Sequence, residues 1–125
     1  MSNQTHVPAG HLTWHMVATD VWDAQRDEAL YRPEAWDLDG FIHCTDDPAE
    51  LLAVGNRYYR SDPRDWTVVR INCDLVGAPV VYEDAALMFP HIYGLLPVSA
   101  VIERYALVRD EHGVFVAIGE AEPAP

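Results

Sequence analysis

One segment constrains this chain more than any other: Trp66-Thr67-Val68-Val69-Arg70-Ile71-Asn72-Cys73. It is β-branched and almost continuously apolar, which suits a strand covered on both faces and therefore a central place in a sheet. The rest of the fold must be arranged around it. Upstream, Leu12–Val17 alternates, with Trp14 and Met16 on one face and Thr13, His15 and Val17 on the other. Gly40 opens another strand, Phe41-Ile42-His43-Cys44-Thr45. Pro79–Glu83, Val98–Val108 and Val114–Ile118 complete about six strands, the last two joined by the turn Asp110-Glu111-His112-Gly113.

Two helices are expected in the N-terminal half. The first is capped by Thr19 or Asp20 and runs to about Leu30, before Pro33. The second is capped by Thr45, Asp46 or Asp47, carries Pro48 in its first turn, and buries Leu51, Leu52, Gly55, Tyr58 and Tyr59. Asp84–Pro97 reads as a long connection without a clear period, too apolar to be idle surface and so packed over something. The fold class is α+β, with a curved, mostly antiparallel sheet. A chain of 125 residues suits one domain, here 11–119, with 1–10 and 120–125 as flexible termini.

Composition removes several functions. Twenty acidic residues face eight basic ones, all Arg, for a formal net charge of -12. That argues against sequence-blind nucleic-acid binding and against docking on an anionic membrane. Without Lys there is no Schiff-base chemistry. No apolar run approaches the roughly 20 residues of a membrane span, and the polar start lacks a secretory pattern, so a cytoplasmic protein with reduced Cys44 and Cys73 is expected. A small-molecule ligand is the expected partner, and monomer and homodimer both fit.

The candidate chemistry lies in histidines. His6, His11 and His112 fall in the arm or a turn and read as surface. His15, His43 and His91 fall in strands or in the packed connection. Period two places Phe41, His43 and Thr45 on one face and the apolar pair Ile42 and Cys44 on the other. An aromatic ring, an imidazole and a hydroxyl on one face suit a ligand-lined cleft. The same alternation points His43 and Cys44 apart, which removes them as a nucleophile pair. Glu83 ends a strand, Tyr93 can cap a pocket, and Arg57 can hold an anion or pair with an acid. The spacing 15, 43, 91 matches no metal motif, so no metal is expected. No Gly-rich phosphate loop and no Gly-x-Ser-x-Gly elbow occurs.

Three stretches together carry a family likeness: Trp14-His15, Gly40-Phe41-Ile42-His43-Cys44-Thr45 before a helix, and Phe89-Pro90-His91-Ile92-Tyr93-Gly94-Leu95-Leu96-Pro97. Over roughly residues 12–107 the chain resembles the domain-of-unknown-function 952 family, in which Tyr is commoner where Trp14 stands and Ser where Thr45 stands. The family carries no established activity. The resemblance implies a fold similar to the ADP-ribosyltransferase fold, a split sheet whose cleft holds NAD in relatives. His15 then matches the position that holds the nicotinamide ribose. His43 and Thr45 match the strand that positions the nicotinamide, and Glu83 is the candidate for the acidic position. Glu83 or His91 would stabilise the cation formed as the glycosidic bond breaks, or act as base. Trp14, Phe41, Arg57 and Tyr93 join the expected ligand-binding set. Two other functions compete: acid–base chemistry by the same histidines on a metabolite other than NAD, and a binding module without catalysis.

Overall fold

Strand β5, Trp66–Asn72, takes the central place that its sequence demands. The computed structural model describes residues 4–123. Before β5 come β1 (Thr5–His6), β2 (Leu12–Ala18), α1 (Thr19–Gln25), β3 (Leu30–Tyr31), α2 (Trp36–Asp39), β4 (Ile42–His43) and α3 (Pro48–Tyr58). After it come β6 (Val80–Tyr82), β7 (Pro90–Ile92), β8 (Leu96–Pro97), β9 (Val101–Arg109) and β10 (Phe115–Pro123). One antiparallel sheet has the order β10-β9-β5-β2, a second has β1-β6-β7-β4, and β3 pairs with β8 as a ribbon.

The alternation in β5 explains its composition. Trp66 and Val68 pack with Met16, Ala18, Leu51 and Phe115 under α3. Val69 and Ile71 pack on the other side with Val17, Trp22, Tyr31, Ile42 and Ile92. Both faces are covered, so no polar alternation is needed.

Several expectations need correction. The first helix ends at Gln25, not near Leu30, because Leu30 and Tyr31 extend to pair with Pro97 and Leu96. A short helix, α2, intervenes and ends on Gly40, whose φ of 73° only glycine adopts at low cost. The strand around His43 is short and makes its one further pair at Thr45. The connection 84–97 contains two strands, β7 and β8. The arm is not wholly loose, since Thr5 and His6 pair with Tyr82 and Val81. Residues 120–123, expected to belong to a flexible terminus, continue β10 against β9. Residues 1–3 and 124–125 of those termini lie outside the described residues.

Besides their packed faces, the two large sheets share a backbone bridge between Trp14 and Thr45. Trp14 and Thr45 exchange both backbone hydrogen bonds, at 3.1 and 2.8 Å. Continuing that antiparallel register would pair Met16 with His43. Instead β2 turns away to follow β5, and β4 turns away to follow β7. A wedge opens between β2 and β4, immediately beyond the Trp14–Thr45 pair.

Candidate functional site

The wedge is a cavity of about 560 Å3, within the usual range for small-molecule sites. Four consecutive β2 residues, His15, Met16, Val17 and Ala18, line it, so β2 presents its edge rather than a face. Phe41, His43 and Thr45 line it from the opposite strand. Tyr58, Tyr59 and Leu51 from α3, Trp66 from β5 and Tyr31 from β3 add apolar wall, while Glu34, Asp39, Asp62 and Arg64 supply charge.

His15 closes the apex. Its Nδ1–H donates to the His43 carbonyl at 2.6 Å, which occupies an oxygen that the ladder has left free. A carbonyl can only accept, so Nε2 carries the lone pair, and the Tyr31 hydroxyl donates to it at 2.9 Å. Burial pushes the His15 pKa down to about 4, and raises that of Tyr31 above the usual tyrosine range. His15 is therefore a neutral staple whose two ring nitrogens are both engaged inside the protein.

His43 is different. Its side chain is 58% exposed at the cavity, and its Nε2–H donates to Asp39 at 2.9 Å. Asp39 reaches it because Gly40 ends α2 in a left-handed turn and sends the chain directly into β4. The carboxylate fixes the tautomer and leaves Nδ1 as the available nitrogen, the arrangement that orients an imidazole for proton transfer.

His91 sits opposite His43 in the β4–β7 register, with ring centroids 5.3 Å apart. Its Nδ1–H donates to Glu83 at 3.1 Å, and the Tyr93 hydroxyl donates to the same carboxylate oxygen. These bonds, Tyr93's first, hold the Glu83 pKa below the usual carboxylate value. Phe41 stacks on His91 at 4.1 Å and stands between this trio and the cavity, whose lining includes Phe41 but not His91, Glu83 or Tyr93.

Of the sequence-derived candidates, the fold thus brings His15, Phe41, His43 and Thr45 to one cavity. It gathers Glu83, His91 and Tyr93 behind Phe41. Trp14 is elsewhere: it packs on Tyr105, with the Arg70 guanidinium 5.1 Å over its ring. Arg57 lies over Tyr58 at 5.9 Å and does not line the cavity. Tyr58, expected to be buried, is 66% exposed at the mouth. Cys44 faces the core, where burial raises its thiol pKa well above normal. His11, expected as plain surface, pairs with Asp46 at 3.0 Å, and Tyr82 donates to the same carboxylate.

Sequence reasoning missed Asp39, Glu34, Tyr31, Asp62 and Arg64. For Asp39 a signal existed: Asp39-Gly40 places a carboxylate four residues before His43, with a glycine between them. The others come from segments joined only by tertiary pairing. Arg64 is the cavity's one guanidinium among the described residues, and it is occupied: it binds Asp62 at 2.8 Å and Glu34 at 3.1 Å, and lies over Trp66.

A wedge between two antiparallel sheets, with a carboxylate-backed histidine at its mouth, defines a small α+β protein with a cleft of small-molecule size. The chain belongs to the family described as "Protein of unknown function (DUF952)", which matches residues 16–104. The crystal structure of protein CC0527 from Caulobacter crescentus is similar, with a TM-score of 0.71 and 22% identity over 85% of this chain and 94% of that one. The solution structure of CC0527 gives 0.61 and 24% identity over 82% of this chain and 90% of that one. At these identities the likeness concerns the fold. No curated protein matches the chain.

Proposed function

We propose that the protein is an enzyme that carries out acid–base chemistry on a small organic molecule held in the cleft, with His43 as the proton-transfer group and Asp39 orienting it. The observation that carries this reading is the His43–Asp39 pair, 2.9 Å apart, at the mouth of a cavity of about 560 Å3. A solvated surface histidine needs neither the cavity nor the backing carboxylate. Thr45, Phe41 and the α3 tyrosines position the substrate, and the apolar walls limit water around the reacting atoms. His15 and Tyr31 hold the wedge open at fixed width. His91, Glu83 and Tyr93 act as a support that sets the Phe41 ring, and His91 also touches the His43 ring edge-on.

Electrostatics favours this reading over an NAD cleft of the ADP-ribosyltransferase type. A dinucleotide brings two phosphate charges, and like charges about 4 Å apart repel by about 1 kcal/mol in water and about 4 kcal/mol near a protein surface. The lining offers three carboxylates against one guanidinium, which is already bound by two of them. His43 alone would have to offset the pyrophosphate. A substrate without phosphate meets no such penalty.

The test is to incubate the protein with a small-molecule extract and follow each component by mass spectrometry. Wild-type protein should deplete a component that Asp39→Asn depletes at least tenfold more slowly. Depletion of nothing, or equal depletion by Asp39→Asn, would overturn the reading, and the second outcome would favour a binding module or another active residue.

A further inference from the structure

We infer that the cleft recognises an organic cation, a protonated amine or alkylammonium group carried on a small apolar body. This rests on the cleft being a substrate site, and adds to that reading the chemical class of what enters.

Two independent properties of the lining point the same way. The first is charge. Glu34, Asp39 and Asp62 line the cavity with Arg64 as their one guanidinium, and Asp20 also reaches Arg64 at 3.5 Å. Of the other arginines, Arg26 and Arg32 pair with Asp23 and Asp37 outside the lining, and Arg57 lies over the Tyr58 ring. Arg70 and Arg104 pair with Glu103, and with Asp23 and Glu122. Arg109 donates to the carbonyls of Asp62, Arg64 and Arg60. The cleft therefore keeps a negative excess, and apolar walls strengthen its field by limiting the screening water.

The second property is aromatic. Phe41 just before β4, Tyr58 and Tyr59 at the end of α3, and Trp66 of β5 enter the same cavity. Ring faces attract cations, and recognition of alkylammonium groups by aromatic walls is the best-known use of that force. The rings here already serve as such platforms, with Arg64 5.5 Å over Trp66 and Arg57 5.9 Å over Tyr58. A neutral apolar ligand would use the rings but gain nothing from the carboxylates. An anion would be repelled by both. A cation uses both, and sets its positive centre within reach of Asp39 and hence of the His43 imidazole that Asp39 orients.

The test uses three molecules of one shape and different charge: choline, its neutral carbon isostere 3,3-dimethyl-1-butanol, and the anion 3,3-dimethylbutyrate. Each is titrated to millimolar concentration into uniformly labelled full-length protein, and amide shifts are followed. Choline should move the resonances of residues 39–45 and the Trp66 indole, and bind about tenfold or more tighter than the alcohol. The carboxylate should not move them. Glu34→Gln and Tyr58→Leu alter exposed side chains, so folding is preserved; Glu34→Gln should weaken choline severalfold without weakening the alcohol, and Tyr58→Leu should weaken choline more than the alcohol. Alcohol binding as tight as choline, carboxylate binding at the same residues, or no cleft shifts with choline would each overturn the inference. His43→Gln separates the two proposals. Cation preference without any His43-dependent turnover would remove the reaction and leave the recognition standing. His43-dependent turnover of an uncharged or anionic compound would do the reverse.

Discussion

His15 shows how a single residue can be legible as unusual and still not be readable in its role. A histidine inside an apolar alternation stands out in the sequence, and so did His43. What separates them is partners. Tyr31, which saturates the second nitrogen of His15, reaches it only because Leu30 and Tyr31 pair with Leu96 and Pro97, some 65 residues away in sequence. No local pattern encodes that. The consequence is a pH-dependent stability with a definite sign. The folded pKa of His15 is about 4, below the roughly 6.5 of an unfolded histidine. Between those values the unfolded chain binds a proton that the folded chain does not, so stability falls as pH drops from about 6.5 to 4, by about 3 kcal/mol in all. Urea titrations at pH 7 and pH 5 should show about 2 kcal/mol of this loss in wild-type protein, and His15→Gln should be less stable at pH 7 yet lose less on acidification. An equal loss in both proteins would show that His15 is not the group responsible.

At the scale of elements, length and redundancy of signal decide what could be read. The β5 run, the alternation of β2 and the β9–β10 turn each carry several agreeing cues. Asp47-Pro48 marked the start of α3, and Asp47 caps it, accepting from the amides of Ala49 and Glu50. Asp47→Ala should cost about 1 kcal/mol in chemical denaturation, without changing the amides of β5. By contrast β7 and β8 have three and two residues, too short for a period, and exist because β6, β4 and β3 offer edges to them. The α3 helix packs on β2 and β10 through Gly55, where a Cβ would stand 2.8 Å from Met16 Cε and 3.1 Å from Phe115 Cδ2. Met16 can move, but Phe115 is only 2% exposed and is held on both sides. Gly55→Val should therefore destabilise by about 1–3 kcal/mol through overpacking, and shift the resonance of Met16 at the cavity wall. Unchanged thermal stability would mean that α3 packs more loosely than these distances indicate.

For the whole molecule, the net charge of -12 first serves only to exclude partners, and the fold gives it a location. Part of the excess, Glu34, Asp39 and Asp62, lines the cavity that His43 faces. The cleft itself was half visible. The face shared by Phe41, His43 and Thr45 followed from strand period, whereas the wedge depends on β2 and β4 parting after a single pair, which is a property of both sheets together. The central claim is that His43, and not the neighbouring His91, moves the proton. The most direct measurement compares wild-type protein, His43→Gln and His91→Phe on one small-molecule extract, following depletion by mass spectrometry. One component should be consumed by wild-type protein, consumed by His91→Phe within about tenfold of that rate because a ring still supports Phe41, and left untouched by His43→Gln. Consumption by His43→Gln at the wild-type rate, or loss with His91→Phe alone, would contradict it.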